Sequence, residues 1–217
     1  MGFQLGNLYV EKGQKTCGFL KLPFTEDELP VTLIYGREEG PTVLVDGGIH
    51  NAEYVGIECV TGLAKQLQPE DIEGILIMIH IVNVNGFQAR TVSVSAEDGK
   101  NLNRVFPGNE NGTYTDKLAY FMEKEIFSKV DYYIDVHNGD WFEDLTPFIY
   151  CVGNAPAETV AESPPCATTC KSNASRTEKA RCKKTESCLL RRKANTSNRR
   201  YVHKLQNKLY LPSGSGA

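Results

Sequence analysis

The stretch Val43-Leu-Val-Asp-Gly-Gly-Ile-His50-Asn-Ala-Glu53 decides the fold and the site predicted for this chain of 217 residues. Its apolar beginning, residues 42–45, predicts a buried strand, and the two glycines that follow allow the backbone to turn tightly. His50 and Glu53 then fall at the carboxyl end of the strand, where open α/β sheets bind their ligands. Taken alone, such a pair is more often an ordinary polar loop. It also suits zinc, which in a catalytic site needs one more protein ligand and an open position for water.

The segments upstream of this stretch predict a β-rich beginning of the chain. Strand-length pieces that are apolar or alternating occupy residues 7–10, 16–22 and 31–35, and acidic or glycine-containing breaks separate them. We therefore expect residues 1–36 to be mostly β. A turn at 36–41 then leads into the central strand.

Helices and strands alternate downstream. Residues 53–67 predict an amphipathic helix, because an apolar residue recurs at every fourth position, in the series Val55, Cys59, Leu63 and Leu67. Residues 75–82 predict a strand covered on both faces, and we interpret His80 as a core or strand-end histidine with a hydrogen-bonded ring. The remaining segments predict a long loop, a helix capped at Thr115-Asp116 and two strands, over residues 87–107, 115–126, 131–136 and 147–152. This alternation favours an α/β domain whose strand ends line one edge.

His137 supplies a third candidate ligand. Like His50, it directly follows a buried strand and precedes a polar turn that contains glycine. Two neighbouring parallel strands would bring both histidines to the same edge of the sheet, with Glu53 in the first turn of the adjoining helix. The three residues would then form a zinc shell of two histidines and one carboxylate. For Asp135 we expect the opposite face of the strand and a structural role, with the orientation of a ligand as the alternative.

Between these ligands lies the segment Asp98-Gly-Lys-Asn101-Leu-Asn103-Arg104-Val-Phe-Pro-Gly108. A buried Arg104 beside Asn103 would offer a planar guanidinium and an amide, which together suit a carboxylate. The alternative is a surface loop in which the arginine has a scaffolding role.

Charge divides the chain into two parts. Residues 1–150 contain 11 Lys/Arg and 23 Asp/Glu, a net charge of −12, whereas residues 151–217 contain 13 and 4, a net charge of +9. Five of the seven cysteines lie in the second part, and Cys17 and Cys59 have the surroundings of reduced core residues. The first residues show no secretory signal and no apolar run is long enough for a membrane helix, so we predict a cytoplasmic protein without a membrane partner.

The pattern changes abruptly near Ser163, which suggests a catalytic domain over residues 1–162 and a basic tail over 163–217. The tail offers little apolar surface, so we expect it to be disordered. Because the change falls inside an apparent helix start at 155–162, a shifted reading frame or truncation explains it better than a natural linker, although a genuine basic appendage is the alternative. The tail lacks a base-reading motif, which argues against a nucleic-acid partner. Its cysteine spacing also differs from that of zinc knuckles.

The ordered motifs Gly-Gly-Ile-His50-x-x-Glu53, Asp98-Gly-x-Asn-Leu-Asn103-Arg104 and Asp135-x-His137-Asn resemble the succinylglutamate desuccinylase/aspartoacylase family of the zinc carboxypeptidase superfamily. The resemblance covers about residues 1–160. It implies a three-layer α/β/α mixed sheet with an N-terminal β lead-in, altered or truncated at the C-terminus. It also implies zinc-dependent hydrolysis of an amide in a small N-acyl amino acid.

The resemblance further implies a role for each matching residue. His50, Glu53 and His137 would hold Zn²⁺, and Asn103 and Arg104 would bind the carboxylate of a small-molecule substrate. Arg90, in the loop after 83–87, would polarise the scissile carbonyl, which gives it a catalytic role. The acyl group, the amine and the oligomeric state do not follow from the sequence.

Two departures from the family pattern bear on activity. Asn51-Ala52 replaces a pair that contains glycine in the family, which restricts the turn between the first two ligands. The family's general-base glutamate follows the third ligand by some sixty residues, and the segment 194–201 contains no glutamate. The alternative to an amidohydrolase is therefore a catalytically impaired protein that binds zinc or a ligand.

Overall fold

The computed structural model describes residues 2–141 and residue 143. The strands within this part are β1 (Gly2–Leu5), β2 (Leu8–Glu11), β3 (Lys15–Lys21), β4 (Glu28–Tyr35), β5 (Glu38–Gly47), β6 (Glu73–Ile79) and β7 (Tyr132–Val136). The α-helices are α1 (Tyr54–Gln66), α2 (Val84–Ala89) and α3 (Tyr114–Phe121), and a π-helical turn, Met122–Ile126, continues α3. Strands β1 and β2 form a hairpin, and the other five form one mixed sheet in the order β3-β4-β6-β5-β7.

The parallel part of the sheet places the ends of β5 and β7 side by side. Strand β5 runs parallel to both β6 and β7, whereas β4 runs antiparallel to β6. In the β5–β7 pair, Asp46 lies opposite Asp135 and Gly47 lies opposite Val136. The two strands therefore end level with each other. The polar residues that follow them emerge at the same edge, as the sequence predicted for His50 and His137.

Two apolar layers cover the sheet. On one face, Val60 and Leu63 of α1 pack in a cluster with strand residues such as Val45 and Met78. On the other face, the β1–β2 hairpin and α3 pack against the sheet in a larger cluster that includes Leu44. Fully burying one such side chain contributes about 1.5–3 kcal/mol. The result is the mixed sheet between helical layers with a β lead-in that the sequence predicted.

The prediction for the buried face of α1 was partly wrong. Val55 is 69% exposed, whereas Ile57, Val60 and Ala64 are buried together with Leu63. An α-helix has 3.6 residues per turn, so a residue four positions on is rotated by about 40° from the first. This rotation carries the predicted series across the helix surface, so that it begins on the exposed side at Val55 and reaches the buried face only at Leu63.

Three further boundaries differ from the predictions. The N-cap of α3 is Thr113, whose side chain and that of Asp116 form a capping box, so that the helix begins earlier than expected. The expected loop at 87–107 contains the end of α2 and the short 3₁₀ helix Leu102–Arg104. Strand β7 begins one residue later than predicted. The expected strand at 147–152 and the helix start at 155–162 lie outside the described residues.

His80 follows β6 directly and matches its interpretation as a strand-end histidine. Its Nε2 lies 2.9 Å from Thr32 Oγ1 on β4. Burial, and then the charge of Lys65, lower the pKa of His80. No helix in the described part of the chain combines the length and the apolar composition needed to cross a membrane.

Candidate metal centre

Gly48 makes the turn that delivers His50 to the edge of the sheet. Its φ of +72° lies in the left-handed region, which glycine adopts without a steric penalty. A Cβ at this position would also meet the Ile57 side chain at 3.1 Å and the Ile81 backbone at 3.3 Å. The turn therefore requires glycine on two grounds, and it directs His50 towards the end of β7.

The next two residues, Asn51 and Ala52, are fixed from outside the turn. Asn51 is buried, its Nδ2 donates to the carbonyl oxygen of Thr91, and its Oδ1 accepts a hydrogen bond from Asn83 Nδ2 at 3.0 Å. The Ala52 N–H donates to the Val92 carbonyl at 2.9 Å. Neither residue has a positive φ. The family's glycine is therefore not needed here for backbone conformation, and the asparagine attaches the turn to α2 and the loop beyond it.

Glu53 lies immediately before α1, at the centre of the cluster. Its Oε1 is 2.8 Å from His50 Nδ1 and its Oε2 is 2.8 Å from His137 Nδ1. The backbone N–H of Asn138 donates to the same Oε2 at 2.9 Å. Burial alone raises the pKa of Glu53, but the hydrogen bonds from His137 and His50 outweigh it and lower that pKa to about 2. The carboxylate is therefore charged at neutral pH.

The close approach of α1 to the end of β7 depends on Gly56. A Cβ there would lie 2.7 Å from the Val136 carbonyl oxygen. The Gly56 N–H donates to Asn138 Oδ1 at 2.7 Å, so Asn138 receives a hydrogen bond from α1 and donates one to Glu53. No role for Asn138 was predicted from the sequence. The available signal was its position directly after a strand-end histidine.

Asp135 contacts His137, contrary to the expectation that it would lie on the opposite face. Its Oδ2 is 2.7 Å from His137 Nε2. Side chains two positions apart on a strand project from the same face, which the prediction overlooked. Burial lowers the pKa of His137, but hydrogen bonds to Asp135 and then to Glu53 outweigh it and raise that pKa to about 10. In the metal-free protein, His137 is thus protonated at neutral pH.

A second buried carboxyl lies beside Asp135 on the neighbouring strand. Asp46 is fully buried, and its Oδ2 accepts a hydrogen bond from Tyr133 Oη at 3.0 Å. Burial and the adjacent Asp135 carboxylate raise the pKa of Asp46 well above its usual range. The candidate centre therefore rests on a layer of buried polar groups at the ends of β5 and β7.

The geometry of the cluster fits a zinc ion. Donor atoms of His50, Glu53 and His137 all lie within 4.8 Å of one another, and this is the one such group found among the described residues. Each histidine directs Nδ1 to the shared carboxylate and Nε2 to an acceptor oxygen, Asp135 Oδ2 or Asn101 Oδ1. Metal-binding histidines characteristically have their second ring nitrogen fixed in this way. Two imidazoles with one carboxylate are also a common protein ligand set of catalytic zinc.

The residues predicted to bind a carboxylate closely follow Asn101, whose side chain contacts His50 of this cluster. Asn103 and Arg104 belong to the 3₁₀ helix Leu102–Arg104, which the fully buried Leu102 holds in the core. Asn101 caps this helix and also contacts His50. Arg104 is exposed, which agrees with the surface-loop alternative and not with a buried arginine.

Arg90 is not brought into the cluster by any contact in the described part of the chain. It ends α2 in the left-handed conformation, with φ of +57°, and is exposed. Asp140, in the loop after β7, interacts electrostatically with the cluster. Burial, and then the charge of Glu53, raise the pKa of Asp140 in the loop after β7.

Comparison with known proteins first identifies the fold. A protein from Shewanella denitrificans assigned as a carboxypeptidase A superimposes with a TM-score of 0.56, over 71% of this chain and 44% of that one. The two sequences are 16% identical, so this likeness concerns the fold alone. The described sheet and its helices thus have the carboxypeptidase-like fold.

The family follows from sequence. The sequence model of the succinylglutamate desuccinylase/aspartoacylase catalytic domain matches residues 39–179, and the chain belongs to this family. An aspartoacylase family protein from Mesorhizobium loti has 31% identity and a TM-score of 0.64, over 74% of this chain and 52% of that chain. The N-alpha-acetyl-L-2,4-diaminobutyric acid deacetylase of Halomonas elongata is 38% identical over 138 residues, which are 60% of this chain and 40% of the deacetylase. The chain thus spans about half, or less, of the length of these relatives.

Several predictions concern residues that the structure does not describe. The predicted domain boundary at 162–163, the tail and the segment 194–201 all lie outside residues 2–141 and 143. The family match itself extends past the predicted boundary, to residue 179.

Proposed function

We propose that this chain is a zinc-dependent amidohydrolase of small N-acyl amino acids, with the zinc held by His50, Glu53 and His137. The observation that supports this most directly is the convergence of the two histidine Nδ1 atoms on one buried carboxylate, each at 2.8 Å. Membership of the desuccinylase/aspartoacylase family supports the reaction class.

The protein residues have separate roles in this proposal. A zinc ion bound at such a site supplies Lewis acidity towards a carbonyl oxygen and lowers the pKa of water. Asp135 and Asn101 fix the two histidine rings, and Asn138 fixes the Glu53 carboxylate. The buried layer beneath them excludes bulk water, which strengthens electrostatic interactions at the site.

Substrate recognition is assigned to the 3₁₀ helix beside the cluster. Asn103 and Arg104 bind the substrate carboxylate, since an amide and a planar guanidinium offer several donors to two oxygens. For Arg90, the family resemblance supports a role at the scissile carbonyl. One relative is a deacetylase of N-acetylated diaminobutyric acid. The similarity to it supports a substrate that has a small acyl group on an amine and a free carboxylate.

The proposal is tested on the full chain by metal analysis followed by a hydrolysis screen. We expect about one zinc per chain and release of the acyl group from N-acetyl or N-succinyl amino acids, with little release from their methyl esters. A chain that binds no zinc overturns the proposal. A chain that binds one zinc and an N-acyl amino acid without turnover favours the alternative of an impaired ligand-binding protein.

A further inference from the structure

We infer that Asn51 is a positioning residue for Arg90, because its buried amide fixes both ends of helix α2 to the turn between the first two candidate metal ligands. This inference rests on the proposed function, in which Arg90 acts at the scissile carbonyl, and deepens it. Asn51 belongs to the pair in which the sequence departs from the family pattern, so the inference concerns this chain in particular.

The amide of Asn51 is hydrogen-bonded at both of its ends. Its Oδ1 accepts a hydrogen bond at 3.0 Å from Nδ2 of Asn83, the N-cap of α2. Its Nδ2 donates to the carbonyl oxygen of Thr91, which directly follows Arg90, the C-cap. Both asparagines have only 1% of their surface exposed. One side chain on the metal-binding turn therefore holds the beginning of this six-residue helix and the residue just beyond its end.

Backbone hydrogen bonds around Arg90 leave it little freedom. The Thr91 N–H donates to the Gly86 carbonyl at 3.0 Å, and the Ala52 N–H donates to the Val92 carbonyl at 2.9 Å. Arg90 itself has a φ of +57°, a conformation that residues other than glycine rarely adopt unless the surrounding structure holds them in it. These contacts therefore set the direction in which the Arg90 side chain leaves the backbone. The asparagine amide makes one of the two that reach across to the metal-binding turn.

The chemistry of this position requires an amide. The Thr91 carbonyl can only accept a hydrogen bond, whereas Asn83 presents its NH₂ group because its own Oδ1 accepts from the Gly86 N–H at 3.0 Å. Asn51 must therefore offer one donor and one acceptor. A Cβ on Gly86 would lie 2.6 Å from Asn51 Oδ1, so α2 packs closely against the amide. Without that amide, two polar groups lose their partners, and a movement of α2 would relieve this cost.

The test is a double-mutant cycle on the full chain loaded with zinc. Asn51→Ala removes the amide, Arg90→Ala removes the guanidinium, and a third variant carries both substitutions. Asn85→Ala is the matched control. Asn85 also lies on α2 and bonds the loop that follows it, but it accepts from Ser95 Oγ at 3.0 Å and so acts at a point beyond Thr91.

Three measurements are made on each variant, and none of them requires turnover. Competition with a chromogenic chelator gives the zinc dissociation constant. Calorimetry gives the affinity for L-2,4-diaminobutyric acid and for its N-alpha-methylphosphonyl derivative, in which a tetrahedral phosphonyl group replaces the acetyl group of the relative's substrate. Hydrogen exchange reports how firmly the backbone amides of Arg90 and Thr91 are held.

The expected pattern is a loss that depends on Arg90. Arg90→Ala should weaken binding of the phosphonyl derivative by about 10–100-fold, the range for a hydrogen bond to a charged group, and Asn51→Ala should weaken it by about tenfold. In the Arg90→Ala background, Asn51→Ala should add less than about a twofold effect, because it acts through the missing guanidinium. Asn51→Ala should also speed exchange of the Arg90 and Thr91 amides.

The other quantities should stay nearly constant. Zinc affinity and affinity for the free amino acid should remain within a few-fold of the wild type in every variant, and Asn85→Ala should change none of the measured quantities. If Asn51→Ala fails to fold, Asn51→Asp gives the same test. It keeps the shape and the acceptor for Asn83 but lacks the donor to Thr91.

Three outcomes overturn the inference while the proposed zinc-dependent hydrolysis stands. One is an Asn51→Ala effect on the phosphonyl derivative that is equally large with and without Arg90. Another is a loss of zinc affinity in Asn51→Ala as large as its loss of affinity for the derivative, which would place the effect on the metal ligands. The third is unchanged binding of the derivative by Arg90→Ala. A wild-type chain that binds no zinc overturns the proposed function and this inference together, and one that binds zinc but not the derivative overturns the substrate class on which both rest.

Discussion

Replacing Gly56 by Ala should loosen the contact between α1 and the end of β7, although alanine is the better helix former. The added Cβ would lie 2.7 Å from the Val136 carbonyl oxygen, a backbone atom that cannot rotate away. Overpacking of this kind costs about 1–3 kcal/mol. The higher helix propensity of alanine offsets about 0.5–1 kcal/mol. We expect a net loss of about 0–2.5 kcal/mol in the free energy of unfolding, in place of the gain that the helix propensity alone would give.

The same helix offers a matched control in Gly62, where an added Cβ would meet nothing within 4 Å. Gly62→Ala should therefore show the propensity gain alone and stabilise the protein by about 0.5–1 kcal/mol. Gly56→Ala should also displace Asn138, which joins the Gly56 N–H to Glu53, and so weaken zinc binding. Urea denaturation and zinc titration of both variants measure these effects. Equal stabilisation by the two substitutions, with unchanged zinc affinity, would refute the reasoning.

Three further predictions concern the metal and the substrate. Replacing both His50 and His137 by Ala should abolish zinc binding measured by metal analysis, and full retention of zinc would contradict the ligand assignment. Zinc affinity should fall about tenfold for each unit of pH lowered below about 9, because the pKa of His137 is raised to about 10 in the metal-free protein and zinc requires its neutral form. A zinc dissociation constant that stays constant from pH 6.5 to 9 would argue against this competition between proton and metal. Arg104→Lys should weaken binding of a carboxylate ligand by about 2 kcal/mol, since the planar fork is lost. Calorimetry would contradict that role if the wild type bound the acid and its methyl ester equally well.

The grouping of the candidate ligands could be predicted because it depends on topology more than on detail. His50 and His137 each follow a strand, and neighbouring parallel strands end at the same edge. Glu53 could be placed at the same edge because it lies three residues after His50. The structure brings these three side chains together, and their role as zinc ligands remains a proposal.

The supporting contacts could not be predicted in the same way. Asn101 and His50 are 51 positions apart, and local spacing contains no information on a contact of that range. The exposure of Arg104 likewise depends on how the 3₁₀ helix packs, which the order of residues does not reveal. Asp135 is a different case. The alternation of side chains along a strand was available from the sequence and would have placed it beside His137.

The parallel pairing of β5 with β7 has a consequence for how the protein acquires its metal. Glu53 and His137 are 84 positions apart, so the contact between them closes a long loop. An ion that binds only the native arrangement shifts the folding equilibrium towards it. Among the described residues, β7 has β5 as its single strand neighbour, and a bound ion would act as a non-covalent crosslink at its carboxyl end. A chain in which β7 has not yet docked offers only His50 and Glu53, so tight zinc binding would report that this long-range pairing has formed.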